Sequence, residues 1–199
     1  MSSFSNAQVG KSNPPCSALR DSYAALWLKS PSGEEVFIGK YKNWPIVMQG
    51  VKRKWIKFTK RTPEEVRKLR REFNSRRPEF LKTLANDKKK VEALRKAGLT
   101  DQDIDKMRNG KLPQGWEVHH KLPLDDNGTN VDDNLVLIQE RPAHSLLTTA
   151  QRALTRGMKP GDSRWMDFPV PDGFVYPPEP GMVGTVPEIE EKTTKKRRR

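Results

Sequence analysis

The chain has 199 residues, 34% of them apolar, and a mean hydropathy of −0.85, which leaves room for one full domain but not for a core that takes in every residue. A formal net charge of +13 favours a polyanion: nucleic acid, an anionic membrane surface or an acidic protein. One cysteine, Cys16, excludes an internal disulfide and a cysteine-built zinc site, no run is apolar enough to insert in a membrane, and no charged-then-apolar start marks Sec export.

Residues 1–20 are rich in Ser, Asn, Pro and Gly and read as a flexible N-terminus. Residues 21–60 read as a small β-rich segment. Strands are expected over 23–28, over 35–39 after the turn at Pro31 to Gly33, and over 54–58, where apolar and basic residues alternate. The period then changes. Thr62-Pro63-Glu64-Glu65 is a capping box with proline at the first helical position, and its helix is expected to end near Ser75. Pro78 would open a second helix to Leu84. Asp87 and Thr100 would cap two more, closed at Gly98 and near Asn109-Gly110. This basic region holds 18 Lys/Arg and 6 Asp/Glu from Lys52 to Lys96, a net +12. Such a run suits phosphate contact, although charge runs are often plain solvated faces.

A turn at Leu112 to Gly115 leads into a strand over 116–120, a polar loop, a second strand over 134–138, and a helix from Pro142 to about Leu154. The chain beyond Met158 is Pro- and Gly-rich. It reads as an extended wrap anchored by Trp165, Phe168, Phe174 and Tyr176, with a flexible basic tail over 182–199. No internal repeat is present.

The three histidines of the chain all lie in the strand–loop–strand–helix stretch. His119 and His120 end the first strand, and His144 begins the helix. Neighbouring residues on a strand point to opposite faces, but a strand end entering a loop can twist both rings inward. Imidazole serves both as a metal ligand and as a base near neutral pH, the two needs of phosphodiester hydrolysis. Asp125, Asp126 and Asp133 carry charge for a cation, but in a Gly/Asn loop such residues are more often turn formers.

The run Glu117-x-His119-His120-x-x-Pro123, a Gly/Asn-rich loop, Asn134-Leu135 and then His144 resembles the HNH endonucleases, also called ββα-metal or His-Me finger nucleases. Nuclease colicins, pyocins and related polymorphic or type VI effector DNases are most similar. The resemblance implies an α+β fold: an HNH nuclease domain over 61–181, with its ββα core at 115–155, preceded by basic helices and a small N-terminal antiparallel sheet. It implies that His119 and His144 hold one divalent metal ion, that His120 is the general base, and that Asn134 pins the loop to orient His120. Glu117 falls where colicin-type nucleases pair a glutamate with an arginine, and Arg71, Arg76 and Arg77 are candidates by charge. Nuclease colicins carry a further histidine four residues past the position of His144; this chain has Thr148 there. Mg²⁺, Mn²⁺, Zn²⁺ and Ni²⁺ all stay open as the metal.

The function implied is a metal-dependent DNase of low sequence specificity, acting as an antibacterial toxin and met by an acidic immunity protein. It would be made in the bacterial cytoplasm and delivered to a target cell. RNA as substrate stays open, as do a phage or mobile-element HNH endonuclease and a non-catalytic nucleic-acid-binding module with a structural metal.

Overall fold

The computed structural model describes residues 25–185 apart from 30–32, 34 and 43. The expectations for residues 1–20, for Cys16 and for the cations beyond 185 lie outside the described residues. The described chain opens with β1 (Ala25–Lys29), β2 (Glu35–Tyr41), β3 (Trp44–Met48) and β4 (Val51–Thr59). Three helices follow: α1 (Pro63–Asn86), α2 (Lys88–Lys96) and α3 (Asp101–Arg108). Then come β5 (Trp116–His120), β6 (Leu135–Gln139), α4 (Ser145–Leu154), β7 (Ser163–Pro171), β8 (Val175–Tyr176) and β9 (Val183–Thr185). The fold is mixed α+β. No helix among the described residues is long and apolar enough to cross a membrane.

The N-terminal sheet has the order β1-β2-β3-β9. β1 and β2 pair antiparallel as expected, with the Trp27 and Phe37 rings 5.1 Å apart edge to face. β3 was not expected, because Trp44-Pro45 reads as a strand breaker. It pairs β2 through a tight turn at Lys42, whose φ is +47°. β9 adds to the β3 edge, so the chain does not leave the fold at residue 182 as expected. Instead, the Met182 carbonyl accepts from Gln49 N at 2.9 Å.

β4 is nine residues long and pairs along its whole length with β7, from Val51 opposite Pro171 to Thr59 opposite Ser163. The expected wrap is thus half of a ribbon. Its inner face puts Phe58, Met166, Phe168 and Val170 against Leu122 and Leu154. Trp165 is not an anchor. It is 55% exposed on the outer face and stacks on Trp55 with ring centroids 6.0 Å apart. Phe168 and Tyr176 are fully buried, and Phe174 packs partly buried against the helical core.

α1 starts at the expected capping box, with Glu65 N donating to Thr62 Oγ1 and Thr62 N to Glu65 Oε2. It does not break at Ser75 to Pro78 but runs on for 24 residues with Pro78 inside. Proline there forfeits one backbone bond. Packing offsets the loss, because Phe80, Leu81 and Leu84 beyond it join the same core as Ile104 and Met107 of α3. Gly110 lets α3 close on this point, since a Cβ there would sit 2.9 Å from Pro78 Cβ.

The central sheet has the order β5-β6-β8, antiparallel and then parallel. In β6, Leu135, Val136, Leu137 and Ile138 are all fully buried, so the strand is covered on both faces. The pleat sorts them. Leu135, Leu137 and Val118 join the α1–α3 core, while Val136 and Ile138 join Leu146, Leu147 and Ala150 of α4. The second cluster also takes in Phe37, Ile46, Met48 and Val51. Residue 60 is therefore no break in packing, because the N-terminal sheet shares its core with α4.

Candidate functional site

β5 ends in the two histidines, and the pleat turns them to opposite faces. His119 stands opposite Val136 and faces α4, where its ring meets His144 edge to face at 5.1 Å. His120 stands opposite Leu135 and faces α1, with its ring 4.4 Å from that of Phe73. Both still line one cleft of about 440 Å³, because the cleft crosses the strand end between α1 and α4. Arg70, Phe73 and Asn74 supply one wall. His144, Thr148, Gln151, Arg152 and Thr155 supply the other, a helical spacing that keeps them on one face of α4.

His119 is buried, and its Nε2 has no hydrogen-bond partner. Burial, helped by charge on His144 and His120, pushes its pKa down to about 3, with Gln151 opposing. The ring is therefore neutral at physiological pH and carries one bare nitrogen. The Gln151 amide nitrogen is committed to the carbonyls of Lys121 (3.3 Å) and Pro169 (3.2 Å). Thr148 Oγ1 lines the same cleft and is also buried without a partner. Among the described residues one other buried side-chain atom shares that condition, Asp126 Oδ2. Unpaired buried polar atoms are costly, so two in one cleft fit a ligand that supplies the missing bonds. His119 and His144 would hold a metal as neutral imidazoles, since burial lowers the pKa of His144 as well. Among the described residues no three His, Cys, Asp or Glu side chains converge as a metal-holding group. Any further ligands would be oxygens of Thr148, Gln151, water or substrate.

Glu117 shares the His119 face of β5. Its charge bears on His144 and raises that ring's basicity against burial. No ion pair joins it to Arg71, Arg76 or Arg77; Arg76 instead pairs with Asp132 at 2.7 Å. Asn134 pins the loop, as its Oδ1 accepts from Leu122 N (2.8 Å) and its Nδ2 donates to the carbonyls of Leu122 (3.0 Å) and Thr129 (2.8 Å). It sits at the end of a 3₁₀ turn rather than inside the strand. Its side chain makes no hydrogen bond to His120. The contact to that ring comes from Asn130, whose Oδ1 is 2.9 Å from His120 Nε2. Burial lowers the pKa of His120, and the Asn130 bond opposes the shift. Two of the loop aspartates bond β4 and the residue after it, and Asp125 also lines the cleft. Asp126 is buried and accepts from Thr59 N at 2.9 Å, while Asp125 pairs with Lys60.

The sequence reading did not single out Arg70, Asn130, Gln151 or Arg152. Gln151 and Arg152 lie seven and eight residues after His144, a spacing that places them on its face of the helix. Asn130 is one of several polar residues in the loop after β5. Arg70 and Arg152 carry no ion pair to a carboxylate among the described residues.

No protein-family model and no solved structure matches this chain. Over 143 residues it is 36% identical to the uncharacterized protein YhhZ of Escherichia coli (strain K12). That stretch covers 71% of this chain and 35% of YhhZ, so the chain spans about a third of its relative's length.

Proposed function

We propose that this chain is a metal-dependent endonuclease with an HNH ββα core, hydrolysing DNA phosphodiester bonds with little sequence preference. The observation that carries the reading is the cleft itself. A neutral His119 with its Nε2 unpaired faces His144 across it, His120 lies beside them, and Arg70 and Arg152, with no carboxylate partner among the described residues, stand on opposite walls. Arg70 and Arg152 would grip the phosphate backbone, with Asn74 and the basic face of α1 extending the track. His120 would accept a proton from the attacking water as its oxygen bonds to phosphorus, while the bond from phosphorus to the leaving oxygen breaks on the opposite side. A divalent ion held by His119 and His144 would supply charge neutralisation at the phosphate and the leaving oxygen. Glu117 would tune His144 rather than clamp an arginine.

The biological setting proposed with this chemistry is an antibacterial toxin domain, made in a bacterial cytoplasm and delivered to a target cell. A net charge of +13 would suit capture by an acidic immunity protein. Plasmid nicking with added Mg²⁺, Mn²⁺, Zn²⁺ or Ni²⁺ tests the reading. Nicking should fall by about 10²-fold or more in His120→Ala while DNA binding persists. Tight binding with no nicking in any of these ions would favour a non-catalytic nucleic-acid module, and cleavage unchanged in His120→Ala would remove His120 as the base.

A further inference from the structure

Asn130 closes the polar loop, and its side chain is used twice. Nδ2 donates to the Leu69 carbonyl of α1 at 2.9 Å, and Oδ1 lies 2.9 Å from His120 Nε2. A backbone carbonyl only accepts hydrogen bonds, so the amide nitrogen must face Leu69 and the amide oxygen must face His120. That oxygen also only accepts, so His120 must present N–H at Nε2. A neutral imidazole carries one proton, which leaves Nδ1 bare. We infer that Asn130 is the positioning residue for His120, fixing the ring so that Nδ1 is the atom that takes the proton from water.

α1 holds the arrangement from three points. The Leu69 carbonyl orients the amide, Phe73 packs tilted against the imidazole, and Arg76 pairs with Asp132 two residues past Asn130. The Asn134 side chain bonds backbone atoms of residues 122 and 129, so it shapes the loop while the Asn130 side chain sets the ring. The inference rests on the proposed role of His120 as base, but the tautomer can be read whether or not the chain cuts DNA.

The test is a long-range ¹H–¹⁵N correlation spectrum of the full chain at mildly alkaline pH. With three histidines in the sequence, the His120→Gln spectrum assigns the ring by subtraction. The expected result is Nε2–H in the wild type, the same tautomer in Asn130→Asp, which keeps the acceptor, and a mixture in Asn130→Ala. In nicking assays Asn130→Ala should lower kcat roughly tenfold to a hundredfold with KM for DNA unchanged, and Asn130→Asp should recover most of it. Nδ1–H in the wild type, or an unchanged tautomer in Asn130→Ala, overturns the inference. Should Asn130→Ala fail to fold, the wild-type and Asn130→Asp spectra still decide. Nε2–H in a chain that nicks nothing overturns the nuclease reading and leaves the ring's positioning by Asn130 standing.

Discussion

The His119 and His144 rings meet edge to face at 5.1 Å, one from the end of β5 and one from the turn that opens α4. Two imidazoles so close, both with lowered pKa values, do not hold a proton between them near neutrality. They offer two lone pairs, and His119 Nε2 has nothing else to bind.

The first prediction follows from that pair. A divalent ion that binds only the folded chain should raise its stability, by about 2.7 kcal/mol at a hundredfold excess over Kd. Thermal unfolding with and without Zn²⁺, Ni²⁺ or Mn²⁺ measures the effect, and His144→Ala should abolish it. An equal metal-induced rise in Tm in that variant would place the ion elsewhere.

Asn134 is predicted to matter for stability as much as for activity. Its side chain makes three bonds to the backbone of the loop that leaves His120. Asn134→Ala should cost roughly 1–3 kcal/mol, because part-buried backbone groups lose their partners. Urea unfolding measures the cost. Full stability in Asn134→Ala would mean that the loop is held without it, with Arg61 donating to the Leu124 carbonyl at 2.9 Å and to the Gly128 carbonyl at 2.6 Å.

Local signals made much of this legible. The capping boxes at Thr62 and Thr100 mark the starts of their helices to the residue, and the apolar run Leu135 to Ile138 reads as a buried strand. What sequence could not supply was pairing over long separations. Ser163 to Pro171 looks like wrap because two prolines and a glycine-rich approach mask the β-pattern. Only its nine-residue register with β4 makes it a strand. Pro78 looks like a helix boundary until the Phe80 to Leu84 contacts with α3 are known. At the site, the histidine spacing placed His119 and His144 together. The partner of His120 was missed because the bond between residues 120 and 130 depends on how α1 lies across the loop.

The metal-free chain should lose stability on the acid side of neutrality. Burial depresses the folded-state pKa of His119, His120 and His144, whereas in the unfolded chain they titrate near the ordinary value of about 6.5. Below that value the unfolded chain binds more protons than the folded one, so stability is complete above it and drains as pH falls. For His119 the drain continues to about pH 3. Asp126 acts in the opposite sense within the carboxylate range, because burial raises its pKa and the folded chain holds that proton more tightly. Urea midpoints should stay level from about pH 8 to about pH 7 and fall from there to about pH 4, less steeply in His119→Asn. A flat profile would mean that the three rings are solvated.

The tightest spot in the site loop is Gly128. Its φ is unremarkable, so the demand is for space alone. A Cβ there would lie 2.0 Å from the Leu122 carbonyl oxygen and 2.5 Å from that of Pro123. Both are backbone atoms, and neither can swing aside as a side chain would. The Leu122 carbonyl is also the acceptor for Asn134 Nδ2, so moving it breaks the pin and shifts the chain two residues past His120. Gly128→Ala should therefore destabilise by about 1–3 kcal/mol, as overpacking does, and lower nicking more than its stability loss explains. Gly184→Ala is the control, because a Cβ there meets nothing within 4 Å. Tm and nicking rate measured side by side decide it: a Gly128→Ala chain that matches the Gly184→Ala chain in both would show that the loop yields freely and does not hold His120.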